Sequence, residues 1–269
     1  MKTGLARILI VAVVGSCSMP LLYPAESGDR SAIRHAYLVM GSRTALISEE
    51  GVVTWEHAGG SRDGFVLPNG HILVAYSDRV EEITPENKAV FSYRLSPQNR
   101  EIGTTQRLYN GHTMVTELGA QPRLLEIGPG GDVILSIRLQ PETDNAHLQT
   151  RMARQLKNGN FLVPHLLAFA VKEYSPDGQV VRVLRTDLDS IGGRPAENWP
   201  FTAIRLDNGN TVVSLTHGNK VVELNPAGRS FGKSPTRTWA DYSTIHAEPK
   251  DWPMATRSWA AMGQARGHP

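Results

Sequence analysis

The chain has 269 residues, 40% of them hydrophobic and 20% charged, with 28 Lys and Arg against 26 Asp and Glu. That length is long for an ordinary globular domain and normal for one closed β architecture, and 25 Gly with 17 Pro suit a fold with many turns. Without Lys2 and Arg7, which lie in a segment expected to be removed, basic and acidic residues balance, and this argues against nucleic acid or an anionic membrane surface as the main partner.

Residues 1–17 read as a signal peptide: Lys2 and Arg7 precede the apolar run Ile8-Leu9-Ile10-Val11-Ala12-Val13-Val14, which is too short to span a bilayer. Val14-Gly15-Ser16-Cys17 resembles the lipobox of bacterial lipoproteins, in which the cysteine carries the lipid. The alternative is a plain signal peptide cut nearer Ala25. Either way the protein is expected to be exported to the periplasm or beyond, touching a membrane only through a lipid on Cys17. Cys17 is the single cysteine, so no internal disulfide is expected.

Residues 18–35 form a linker, and a repeat array begins near residue 36. Tyr37–Met40, Thr44–Ile47 and Val52–Trp55 are three short apolar runs that match the last three strands of a four-stranded unit whose first strand is missing. Four later copies of an Asn-Gly motif follow, with glycines at 70, 111, 159 and 209, and the last reads Ile204-Arg205-Leu206-Asp207-Asn208-Gly209-Asn210-Thr211-Val212-Val213. Asn-Gly between two apolar runs predicts a type I′ hairpin with both central residues at positive φ. Each copy then continues through a third run, a Pro-centred turn and a fourth run. Units two to five are thereby complete or nearly so, and spacings of 40 to 50 residues are those of propeller blades.

The predicted fold is therefore an all-β propeller of four-stranded antiparallel blades over residues 36–240. Five blades are recognisable, and a sixth exists only if residues 241–269 conceal one. That segment otherwise supplies a closing strand for the incomplete first blade, or a tail. The short turns lie on one face. The connections His57–Asp63, Ser96–Thr105, Leu139–Arg151 and Thr186–Pro200 lie on the other, where a rigid scaffold usually presents binding residues.

The repeated Leu-x-Asn-Gly-Asn-Thr-Leu-Val followed by Val-x-Glu-x-x-Pro-x-Gly-x-Val-Val-Trp resembles the PQQ-like and arylsulfotransferase-like propeller repeats of exported bacterial proteins. The resemblance implies the propeller fold and leaves the activity open. The segment Asn145-Ala146-His147-Leu148-Gln149-Thr150-Arg151 also looks like one found in this group.

Candidate chemistry gathers on the loop-rich face. If the approach to the first strand of unit four is extended, His147, Gln149 and Arg151 point together toward the central channel, and imidazole beside guanidinium suits an anionic or phenolic ligand. Arg62 stands at the equivalent place in unit two. His165 and His217 follow the second strands of units four and five, where Tyr76 and Glu117 hold the corresponding places in units two and three. Trp199, with Arg194 and Glu197, is a candidate wall, whereas His71 and His112 after the Asn-Gly turns are expected to be exposed on the opposite face.

The leading expectation is a binding module for a small molecule or protein partner, with Arg62, Tyr76, Glu117, Gln149, Arg151 and Trp199 as ligand contacts. The competing expectation is a sulfotransferase-like or lyase-like enzyme with His147, His165 and His217 as acid/base groups and Arg151 as anion clamp. No metal and no cofactor is expected. The chain carries no phosphate-binding glycine loop, no Gly-x-Ser-x-Gly elbow and no His-Glu-x-x-His helix.

Overall fold

The computed structural model of the chain describes residues 9–12 and 35–230. These form five sheets, one per sequence unit, each an antiparallel meander apart from the parallel pairing of the first strand of the first sheet. The first contains β1 (Leu9–Ala12), β2 (Tyr37–Met40), β3 (Thr44–Ile47) and β4 (Val53–His57). The second contains β5 (Asp63–Val66), β6 (Ile72–Ala75), β7 (Arg79–Ile83) and β8 (Ala89–Arg94). The third contains β9 (Asn99–Arg107), β10 (Thr113–Gly119), β11 (Arg123–Ile127) and β12 (Val133–Arg138). The fourth contains β13 (Arg154–Gln155), β14 (Phe161–His165), β15 (Ala170–Tyr174) and β16 (Val180–Arg185). The fifth has three strands among the described residues: β17 (Pro200–Arg205), β18 (Thr211–Leu215) and β19 (Lys220–Leu224).

The blades are held together by apolar layers between neighbours. Met40 and Trp55 of the first blade pack with Ile72, Val74 and Ile83 of the second. Leu73 and Val80 meet Val115 and Leu125, then Met114 and Leu124 meet Phe161 and Tyr174, and finally Leu162 and Val171 meet Val213 and Leu224. Every residue of β6, β10 and β14 is buried, because the second strand of a blade is covered on both faces. The fourth strands sit at the rim, and exposed Val90, Val133, Ile134 and Val181 lie on them.

Beside β2 in the first blade lies β1, running parallel to it with Leu9 opposite Tyr37 and Ala12 opposite Met40. The closing strand or sixth blade expected within residues 241–269 lies outside the described residues, as does Cys17.

The Asn-Gly turns are not of type I′. In each copy only the glycine has positive φ (83°, 84°, 87° and 85° at Gly70, Gly111, Gly159 and Gly209). The first closes through Gly70 N–H to Leu67 O and Leu67 N–H to His71 O, making a three-residue loop of a type I turn plus a left-handed glycine. Asn69 stays out of the left-handed region, and its side chain accepts the His71 amide at 3.1 Å. Asn110, Asn158 and Asn208 repeat this bond.

A second correction concerns Ser96–Thr105, expected as a loop, most of which belongs to the nine-residue strand β9. A bulge between Val115 and Glu117 lets the longer strand stay paired. Gly103 sits where an added Cβ would lie 2.7 Å from Thr116 Oγ1, so no side chain fits there. This extension carries Glu101 to the inner face of the molecule.

Candidate functional site at the mouth of the propeller

The first strands of blades two, three and four meet at one cluster, and this places them at the axis. Arg154 at the start of β13 forms a bidentate pair with Asp63 at the start of β5, Nη1 to Oδ2 at 2.8 Å and Nη2 to Oδ1 at 2.9 Å, across 91 positions of sequence. Between them stands β9: Thr104 Oγ1 donates to Asp63, the Thr105 amide donates to it at 3.1 Å, and Arg154 donates to Thr104 Oγ1 at 2.8 Å. Asp63 is fully buried, while Arg154 keeps 24% of its side chain exposed and lies over the Phe65 ring.

One layer outward, Arg62 donates to Glu101 Oε2 at 2.7 Å and to Ile102 O at 3.1 Å. His147 Nδ1 lies 3.5 Å from Glu101 Oε1, and Arg151 is close enough to act on the same carboxylate electrostatically. Burial pushes the Glu101 carboxyl up, but Arg62, His147 and Arg151 together hold it below the usual carboxylate range. Burial pulls the Arg151 guanidinium down to about 10, with Arg62 adding to the fall and Glu101 opposing it. Arg151 is thus still a cation at neutral pH. The one hydrogen bond its guanidinium makes among the described residues is to its neighbour's carbonyl, Thr150 O, at 2.8 Å.

The loop that carries His147 and Arg151 is fastened from below. Gln149 is buried and its amide mimics a strand partner, accepting from Gly119 N–H at 2.8 Å and donating to Gly119 O at 2.9 Å and Thr143 O at 3.0 Å. Lys172 Nζ donates to Gln140 O, and the Gln140 amide donates to the Tyr174 hydroxyl. Asn145 caps a short 3-10 turn, Ala146–Leu148, by accepting the His147 amide. The segment is therefore not extended. His147 and Arg151 share a side at Glu101, and Gln149 turns inward to hold the loop.

The other candidates are dispersed. His165 is fully buried, its Nε2 3.1 Å from the Tyr174 hydroxyl, and burial with the nearby Lys172 charge pushes it down to about 3. His217 stacks on Trp199 at 4.0 Å and lies 3.1 Å from Glu197 at the surface. Arg194 turns away from that stack, over Phe169 and beside Asp187. Each of the three histidines has its own partners, and among the described residues no three His, Cys, Asp or Glu side chains are arranged to hold a metal ion.

Tyr76 is buried with its hydroxyl 2.7 Å from His57 Nδ1 and the Arg79 guanidinium over its ring. Burial, reinforced by Glu81, raises it to about 12. His71 and His112 are not free turn residues: they sit half-buried, 2.6 Å from Glu82 and 2.5 Å from Glu126. In the fourth and fifth blades asparagines replace them, Asn160 on Glu173 and Asn210 on Glu223.

Glu117 is a structural anchor. Its buried carboxylate accepts from Tyr93, Ser96 N–H, Ser96 Oγ, Asn99 and Arg123, which fastens the entry into β9. Burial alone would raise it, but these donors hold it below the usual carboxylate range. Glu117→Gln is expected to lower stability by about 2 kcal/mol in urea unfolding at pH 7, since a charged acceptor is lost.

Glu101, Asp63, Thr104 and Arg154 are site residues that sequence reasoning missed. Their signal was the pairing of opposite charges, Arg62-Asp63 and Arg151 through Arg154 against Glu101, where inner strands begin.

Meanders packed side by side around shared inner strands define a β-propeller with a charged mouth. The chain belongs to the Mal s 1 allergenic protein-like family, whose model matches residues 50–242. It is similar to a protein of unknown function from Bacteroides caccae, with 25% identity over 72% of this chain and 70% of that one and a TM-score of 0.63. It also resembles a streptogramin B lyase, with 12% identity, 73% and 64% coverage and a TM-score of 0.54. Virginiamycin B lyase from Staphylococcus aureus follows at 11% identity, 80% and 73% coverage and a TM-score of 0.56. At those identities the likeness to the lyases shows the fold alone. No curated protein matches it.

Proposed function

We propose that this propeller is an exported binding module that holds a small anionic ligand at its mouth, against Arg151 and beside Arg62 and His147. The observation that carries the reading is the Arg151 side chain: a half-buried cation whose guanidinium makes a single hydrogen bond, to a backbone carbonyl, and leaves most of its fork of donors unused. Arg62 and Glu101 neutralise one another, so Arg151 is the net charge of the group. The strapped loop beneath supports binding over adaptation, because a pre-organised cation loses little entropy when it captures an anion.

Export is supported by Lys2, Arg7 and the apolar run from Ile8 to Val14, with Cys17 as the residue a lipid would take. The same Leu9–Ala12 segment is the strand β1, so the two roles compete for those residues.

Binding is favoured over histidine acid/base catalysis because His165 is sealed in the core and His217 belongs to a separate stack. An enzymatic reading would retain His147 alone. Under the binding reading, a thermal-shift screen with sulfated, phenolic and carboxylated small molecules raises the melting temperature of the wild type. Arg151→Gln weakens that binding by about ten- to a hundredfold, the value of hydrogen bonds to a charged group. An undiminished shift in the variant overturns the reading.

A further inference from the structure

The two oxygens of Glu101 are unequal. Oε2 is satisfied by Arg62 at 2.7 Å. Oε1 is buried and has no hydrogen-bond partner. His147 Nδ1 lies 3.5 Å from it, and the imidazole beside it is 61% exposed. A buried charged acceptor without a donor is rare and costly, and where one persists a missing partner is the usual reason. The cover is removable: the backbone of His147 is fixed by the Asn145 cap, but its exposed ring is free to rotate away.

We infer that the ligand is a hydroxy-carboxylate, its carboxylate seated on Arg151 and its hydroxyl donating to Glu101 Oε1 in place of His147. This rests on the anion-binding reading above. The charge balance selects the groups. Two arginines against one glutamate leave one net positive charge, which suits a monoanion better than a phosphate monoester dianion placed beside Glu101 and Asp63. The donor that reaches Glu101 also stands close to Arg62 and Arg151, so a neutral hydroxyl is preferred to an ammonium.

Lactate, propionate and alanine form a matched series with the same carbon skeleton, differing only in hydroxyl, hydrogen and ammonium. Ligand-observed NMR titration of the full chain with each is the test. Lactate is expected to bind about tenfold more tightly than propionate or alanine, the effect of one hydrogen bond to a charged acceptor. Glu101→Gln, with its fold checked by circular dichroism, brings lactate down to propionate, and Arg151→Gln weakens both equally. Equal binding of lactate and propionate to the wild type, or tighter binding of alanine, overturns the hydroxyl assignment and leaves the anion site standing. Absence of binding by all three, or full binding to Arg151→Gln, overturns the anion site and the inference together.

Discussion

Arg154→Leu is expected to lower unfolding free energy by about 3 to 5 kcal/mol, among the largest effects of any single side chain at the mouth. The change leaves Asp63, which is fully buried, without its counter-charge. Thr104 Oγ1, the Thr105 amide and the Gly64 amide still donate to the carboxylate, but none of them carries charge. An uncompensated buried carboxylate either takes up a proton or draws water between the inner strands, and both weaken the junction of blades two, three and four. For a protein of this size the loss corresponds to a fall in melting temperature of about 10 °C.

A double-mutant cycle with Asp63→Asn separates the pair from its surroundings. The double variant is expected to be more stable than Arg154→Leu alone, because removing both charges removes the uncompensated one. Additive losses in guanidinium unfolding would show that the two side chains act independently, against the geometry described here.

The second large effect is acid sensitivity from His165. Its unfolded-state value is that of an ordinary imidazole, near 6.5, and in the fold it is about 3, because burial first and Lys172 second disfavour the cation. A folded value below the unfolded one means that the unfolded chain binds the extra proton. The folded state is therefore fully favoured above pH 6.5 and is progressively lost as pH falls from there toward 3, at roughly 1.4 kcal/mol per pH unit. His165→Gln removes this dependence and keeps an acceptor for the Tyr174 hydroxyl. Urea unfolding at pH 7 and pH 4.5 is expected to show a difference of about 2 to 3 kcal/mol between the two proteins' pH responses. Parallel responses would mean that His165 is not sealed from protons.

Much of the fold is legible in the chain because its cause is local. Asn-Gly and Pro-x-Gly turns end strands wherever they occur, and short β-branched runs between them leave few alternatives to a meander. The third run of each unit is a strand, as at Arg123–Ile127 and Lys220–Leu224. Asn-Gly alone does not determine the turn subtype. What decides is the backbone amide two residues on, which the Asn side chain captures, and this leaves only glycine left-handed.

The site is legible only in part. His147, Arg62 and Arg151 are recognisable by residue type, but Glu101, which brings them together, lies in a stretch whose strand pairing depends on a bulge in the facing β10. Spacing from the Asn-Gly turns placed Tyr76, Glu117 and His165 together on one face. Their roles differ because burial differs: Glu117 is saturated by donors, and His165 is enclosed by the loop that Lys172 and Tyr174 hold down.

By itself, then, the sequence determined the repeat, the strand order within each blade and the side on which charged connections gather, because all of these follow from near neighbours along the chain. The tertiary structure alone decided which charges meet. Asp63 and Arg154 are 91 positions apart, and Arg62 and Glu101 are 39 apart. No local pattern encodes such pairs: they exist because packed apolar layers between blades bring three first strands to one axis, where the low dielectric makes each partner matter.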